Sequence, residues 1–250
     1  MSRQRRLLLI GLPPTTNNLY TIVAGRQVLS REGRAYHAAT RSVARAAWSD
    51  APVTGPVALR ITYYLGAHDR DVDGSHKALI DGLKGVVFGD DRQLVLLALE
   101  KRIVSAGTLP YVSVVIRPLV TAPADRKLRA SEAGFGLTTR LLPPSTNNTY
   151  AISGRVRRKT RDAKAIESAY RGAFATLAGD EPATDAPLRL RVHYGFTADR
   201  RDVDGSHKLL LDAARGLLWI DDRQVAALTL SKARTTGEPR LELVGHLAAR

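Results

Sequence analysis

Residues 70–77 read Arg-Asp-Val-Asp-Gly-Ser-His-Lys, and the same run returns letter for letter at 201–208. Asp91 follows Asp71 by 20 residues and Asp222 follows Asp202 by 20, each as the second member of an acidic pair with Asp90 or Asp221. Lys77 and Lys208 stand four residues after Asp73 and Asp204. A chain that repeats so wide a set of intervals folds as two copies of one unit. The helices and loops between the blocks have drifted, whereas the acids and the lysine have not, so identity gathers where chemistry would be carried. The copies span 1–120 and 135–250. Residues 121–134, which follow neither helical nor strand periodicity, read as a linker able to cover about 45 Å when extended.

Within a copy the periodicity of apolar residues sets the elements. Leu7 to Leu12 reads as a strand that ends at Pro13-Pro14, and Thr15 to Tyr20 as a turn-rich loop with its twin at Leu141 to Tyr150. Ile22 to Leu29 reads as a hairpin turning at Gly25, and Ser30 and Thr160 as N-caps of helices reaching about Trp48 and Leu177. Alternation at Leu59 to Tyr63 and at Leu188 to Tyr194 marks half-buried strands. Leu79, Ile80, Leu83, Val86 and Val87 then keep helical spacing, as do Leu210, Leu211, Ala214, Leu217 and Leu218. Two more strands follow in each copy, at Leu94 to Val104 and Tyr111 to Ile116, and at Val225 to Leu230 and Leu241 to Leu247. The fold class is α+β, each copy a mixed sheet with two helices packed on it.

The acidic motif therefore lies between a strand end and a helix start. Asp71 and Asp73 can both turn toward one cavity if the chain leaves the strand between them, a bend that Gly74 makes inexpensive. Asp91 adds a third hard oxygen donor. Carboxylates gathered without a cation repel one another, and a set of three oxygens is what magnesium takes, alongside waters and a substrate phosphate. A single aspartate would be explained by the helix dipole; the whole set, present twice, is not. Lys77 and Lys208 reach the same mouth, where an ammonium can steady charge growing on a phosphate. Asp90 and Asp221 support the site from beside it. Asp81 and Asp212 read as structural, and His76 and His207 as water-exposed residues of a helix surface.

A formal net charge of +14, from 38 Lys and Arg against 24 Asp and Glu, points to a polyanionic partner. The bland explanation is an arginine-rich, soluble surface. Basic residues nevertheless cluster at the hairpin and first helix: Arg26, Arg31 and Arg34, with Arg41 and Arg45 beyond them, and Arg157, Arg158 and Lys159 in the second copy. These, together with Lys101 and Lys232, read as contacts to a DNA backbone. With no cysteine, disulfides, thiolate zinc sites and cysteine nucleophiles are excluded. No apolar run approaches the roughly 20 residues of a membrane span. A cytoplasmic location is expected.

In this order and spacing, Pro13-Pro14 with Asn17-Asn18, the Asp71, Asp73 and Lys77 core, Asp81, Asp90-Asp91 and Lys101, with their second-copy twins, resemble the RusA-like family of Holliday-junction resolvases. The resemblance implies a magnesium-dependent endonuclease, with manganese able to substitute, that cuts four-way DNA junctions by symmetric paired nicks. It implies Asp71, Asp73 and Asp91 as metal ligands with Lys77 essential, and Asp202, Asp204, Asp222 and Lys208 as their counterparts. Family members usually carry Asn where both copies have Gly74 and Gly205. They are usually single repeats that dimerise, so this chain is expected to be a monomer forming its own pseudo-twofold dimer. Two other readings stay open: a junction-binding protein with weak or no cleavage, and a metal-dependent phosphatase acting on small molecules.

Overall fold

The computed structural model describes all residues except 1–3, 25, 68, 130–133, 154–155, 199–200, 206 and 249–250, and leaves aside the side chains of 146, 147, 153, 156 and 157. The chain divides into two compact units, Met1–Ala122 and Pro123–Arg250.

Unit 1 runs β1 (Arg5–Ile10), α1 (Thr16–Leu19), β2 (Tyr20–Val23), β3 (Arg26–Leu29), α2 (Arg31–Ala47), β4 (Val57–Leu65), α3 (His76–Leu83), β5 (Leu94–Ile103) and β6 (Tyr111–Pro118). Its main strands lie in the order β1-β6-β4-β5. β4 pairs with β5 in parallel and with β6 antiparallel, and β6 pairs antiparallel with β1. Unit 2 repeats the plan: β7 (Gly134–Thr139), α4 (Thr146–Thr149), β8 (Tyr150–Ser153), β9 (Val156–Lys159), α5 (Arg161–Ala178), β10 (Leu188–Phe196), α6 (His207–Ala214), β11 (Val225–Arg234) and β12 (Arg240–Leu247). Its order is β11-β10-β12-β7, with β10 parallel to β11 and antiparallel to β12. Each unit is thus α+β with mixed pairing, and the chain is a tandem repeat.

The parallel pair decides where the site sits. A parallel neighbour needs a crossover, and in each unit that crossover is the motif and its helix. β4 buries Leu59, Ile61 and Tyr63, α3 buries Leu79, Ile80 and Leu83, and α2 adds Ala44 and the capping Trp48. Each leucine or isoleucine so buried contributes about 1.5–3 kcal/mol. α2 and α5 begin at Ser30 and Thr160, whose hydroxyls accept from Gly33 N and Ala163 N.

Three local expectations change, and a fourth falls outside the described residues. The loop after Pro14 contains one helical turn, α1, and its second-copy twin does the same as α4. The expected turn at Gly25 lies outside the described residues; Ala24 beside it has φ 48°. α3 ends at Leu83, short of the apolar run to Val87. Gly85, at φ 80°, takes the left-handed conformation that stops the helix, and its N–H bonds the Phe88 carbonyl at 2.7 Å. Finally, the stretch read as a linker is fastened to unit 2. Asp125 accepts from Arg240 Nη1 and Nη2 at 2.7 and 2.6 Å and contacts His193 Nε2 at 2.9 Å. The Leu128 N–H bonds the Glu242 carboxylate.

Candidate active site

The acidic loop is held from three sides. Arg70 Nη1 donates to the Pro13 carbonyl at 3.0 Å. Thr16 donates to the Gly74 carbonyl through both its backbone N–H and its hydroxyl, at 2.6 and 3.0 Å. From β5, Lys101 Nζ donates to the Arg70 carbonyl at 2.9 Å. The second copy repeats the fastening, with Arg201 Nη1 on the Pro143 carbonyl at 2.6 Å and Lys232 Nζ on the Arg201 carbonyl at 2.9 Å. Pro13-Pro14 and the turn after it thus brace the acidic loop. Lys101 and Lys232, read from sequence as DNA contacts, are buried beneath that loop with only 6% and 2% exposure. They stand where they hold its backbone in place.

Gly74 has an ordinary φ, and a Cβ there would meet nothing closer than the Asp71 carbonyl oxygen at 3.4 Å. The bend does not require glycine, and a Cβ would fit there.

Asp73 and Asp204 are buried, as are Asp91 and Asp222, while Asp71 and Asp202 are half-buried. Asp91 opens a single 3-10 turn capped by Asp90, whose carboxylate accepts from Arg92 N while Gln93 reciprocates to the Asp90 N–H. Asp221 and Gln224 do the same before Asp222. Asp90 and Asp221 are therefore caps of the turns that carry Asp91 and Asp222, and the Arg92 and Arg223 contacts hold both capping carboxyls below the usual range.

Lys77 Nζ lies 3.0 Å from Asp91 Oδ2 and 3.2 Å from Asp81 Oδ1, so it bridges the two acids. Lys208 sits 2.7 Å from Asp222 and 3.5 Å from Asp212. Lys84, which sequence reasoning missed, places its ammonium 2.9 Å from the other oxygen of Asp91. Its spacing of seven from Lys77 returns to the same helical face, and that was the only hint. Burial pushes the Asp91 carboxyl up, but Lys77 and Lys84 together outweigh it and hold the group below the carboxylate range. In the second copy the matching oxygen of Asp222 accepts instead from Trp219 Nε1 at 3.0 Å. Gly245 leaves room for the Phe135 ring, a Cβ there falling 2.2 Å from it, and that ring packs 6.3 Å from Trp219.

A buried tyrosine lies under each motif. Burial raises the Tyr63 and Tyr194 phenols well above the ordinary value; Tyr36 and Asp73 add to the first, Tyr170 and Asp204 to the second. Sequence gave them only strand positions. His76 and His207, expected in water, are buried at the starts of α3 and α6.

Of the basic residues assigned to DNA, Arg26, Arg31, Arg34 and Arg158 are exposed. Lys159 is paired with Glu167 at 2.7 Å and Asp212 at 3.0 Å, and the side chain of Arg157 lies outside the described residues.

What this geometry offers, twice, is a buried aspartate on the motif loop, a buried aspartate on the 3-10 turn and a lysine paired with the latter. The model of one family, endodeoxyribonuclease RusA, matches residues 11–117 and again 142–244. The chain belongs to the RusA endodeoxyribonuclease family. Both matches contain a complete acidic set, so the family is present as two copies in one chain. Membership implies an endonuclease that resolves Holliday junctions. A comparison with curated proteins finds no significant match. Among the described residues no helix is long and apolar enough to cross a membrane.

Proposed function

We propose that the chain is a magnesium-dependent endodeoxyribonuclease that resolves four-way DNA junctions by paired nicks, one from each copy. The observation that carries this reading is the doubled constellation of a buried aspartate on the motif, a buried aspartate on the 3-10 turn, and a lysine bonded to the latter. The donor set suits magnesium: every candidate ligand is a carboxylate oxygen, and the ammoniums on Asp91 already occupy the place of a cation. Asp71, Asp73 and Asp91 would hold the ion in the first copy, and Asp202, Asp204 and Asp222 in the second, with manganese able to replace it. When bound, the ion would supply a water of lowered pKa and neutralise phosphate charge.

The protein's own groups do the rest. Lys77 and Lys208 transfer from carboxylate to phosphate when DNA arrives, and there offset the charge that grows during in-line displacement. Lys101, Lys232 and the Pro13 and Pro143 brackets keep the loop from yielding. The exposed arginines hold the sugar-phosphate backbone. The two copies, joined through 121–134, act as one monomeric pseudo-dimer, since tethered partners meet at high effective concentration. A cytoplasmic location fits such a substrate. For the second copy alone, the indole on Asp222 favours the alternative of binding branched DNA with weak cleavage.

Replacing Asp71 and Asp202 together with Asn tests the assignment. The double variant is expected to lose magnesium-dependent nicking of a synthetic four-way junction while keeping near-normal junction affinity. Full cutting by it would remove Asp71 and Asp202 from the site.

A further inference from the structure

α2 carries more basic character than the fold needs, and carries it on one side. Arg34, His37, Ala38, Arg41, Ser42 and Arg45 follow the spacing of a single helical face, and with Leu29 they line an open groove of about 500 Å³. Arg34 uses one nitrogen to hold the Leu29 carbonyl at 2.6 Å. Arg41 and Arg45 are exposed and make no hydrogen bond or ion pair with any described residue. His37 is half-buried, its Nε2 is enclosed without a hydrogen-bond partner among the described residues, and it feels the charges of both Asp81 and Lys77. The groove thus presents unspent donors along one face of α2.

The second copy has lost this arrangement. With Thr160 matched to Ser30 as N-cap, α5 places Lys164, Glu167, Arg171 and Ala175 where α2 has Arg34, His37, Arg41 and Arg45. Glu167 is tied to Lys159 at 2.7 Å, and Lys159 in turn to Asp212 at 3.0 Å. Arg171 donates to the Arg215 carbonyl at 3.3 Å. One arginine has become alanine, the histidine has become an acid, and the remaining arginine is engaged.

We infer that the α2 groove is a DNA-backbone site belonging to the first copy alone, so that the chain grips one arm of its substrate more strongly than the opposite arm. A row of guanidiniums at helical spacing matches successive phosphates of one strand, because arginine offers planar paired donors that need no base contact. The occupant is a duplex arm, and the inference rests on the DNA-cleaving reading above. Two otherwise similar copies then engage a four-way junction in a fixed orientation.

The measurement is the salt dependence of junction binding in calcium, compared for the wild-type chain, Arg41→Ala/Arg45→Ala and Lys164→Ala/Arg171→Ala. Each phosphate contact contributes about 0.9 to the slope of log K against log salt. Loss of Arg41 and Arg45 is expected to lower that slope by about 2 and to weaken binding at least about 10-fold at low salt. The α5 variant is expected to lower it by less than about 1. Because alanine is the best helix former, far-UV circular dichroism should be unchanged in both. A reverse variant, Glu167→His/Ala175→Arg, is expected to steepen the slope. Equal losses from the α2 and α5 variants, or no loss from the α2 variant, would overturn the asymmetry and leave DNA binding standing. A wild-type chain that binds neither junction nor duplex in a salt-dependent way would overturn both.

Discussion

The same oxygen of the same aspartate is held differently in the two halves of the molecule. Asp91 is gripped by two ammoniums, those of Lys77 and Lys84, whereas Asp222 is gripped by one ammonium and the indole of Trp219. Phe88 stands where Trp219 does, and Arg215 where Lys84 does. Asp91 keeps 8% of its surface exposed and Asp222 only 2%. An ammonium on a flexible stem can leave when another cation arrives; a packed indole cannot. Identical motifs therefore do not make equivalent sites, since the residues that counter the charge come from the drifting part of the repeat.

The widest effect should come from disabling one copy at a time. Asp73→Asn and Asp204→Asn are each expected to lower cutting by the altered copy about 10²-fold or more. On a supercoiled plasmid that extrudes a cruciform, wild type should give linear product and either variant nicked circle. If Asp204→Asn still linearises plasmid as fast as wild type, the second copy is a scaffold and the comparison sharpens into active and inactive halves.

A smaller effect separates the halves by stability. Only unit 2 has Asp125 clamped by Arg240 and set against His193; at the strand positions matching Arg240 and His193 unit 1 carries Tyr111 and Thr62. Asp125→Ala should cost about 2–3 kcal/mol, because it strips a partner from a largely buried arginine. Hydrogen exchange in the intact chain should rise in β10 and β12 and stay unchanged in β4 and β6. Burial pushes the Asp125 carboxyl up, but Arg240 and then His193 hold it below its ordinary 3.8. A carboxyl held low contributes stability that is complete above that ordinary value and fades as pH falls through the folded one. Acid should therefore remove this contribution from unit 2 below about pH 4, and equal acid sensitivity in Asp125→Ala and wild type would exclude the latch.

The smallest effect concerns Trp219→Phe, which gives the second copy the residue of the first. Without the indole, one oxygen of a buried carboxylate loses its donor, at a cost of about 1–2 kcal/mol in the metal-free chain. Magnesium should then raise the melting temperature more than it does in wild type, since the freed oxygen gains a partner only on binding. An unchanged magnesium response would mean that the indole does not limit the second site.

Much of this was legible in sequence because the governing distances are local. The caps at Ser30 and Thr160, the strands beginning at β4 and β10, and the placement of the motif between strand and helix all follow from neighbours within one or two turns. The family's acids and lysine were legible for a second reason: repetition within the chain marks them out. Where a glycine took a left-handed conformation, as at Gly85, local patterning overran the helix, because apolar spacing does not register the residue that ends it.

The sequence by itself determined two α+β copies, their acidic sets and the basic helix in the first, since spacing and repetition are properties of the chain alone. Tertiary structure alone decided which donor meets each buried oxygen. Lys101 and Lys232 reach carbonyls 31 residues away, Asp125 meets Arg240 across 115 residues, and Gln93 reaches back 40 residues to Val53. Such pairings depend on how sheets and crossovers stack, and a long side chain carries no mark in sequence of whether its head will face water or a buried backbone.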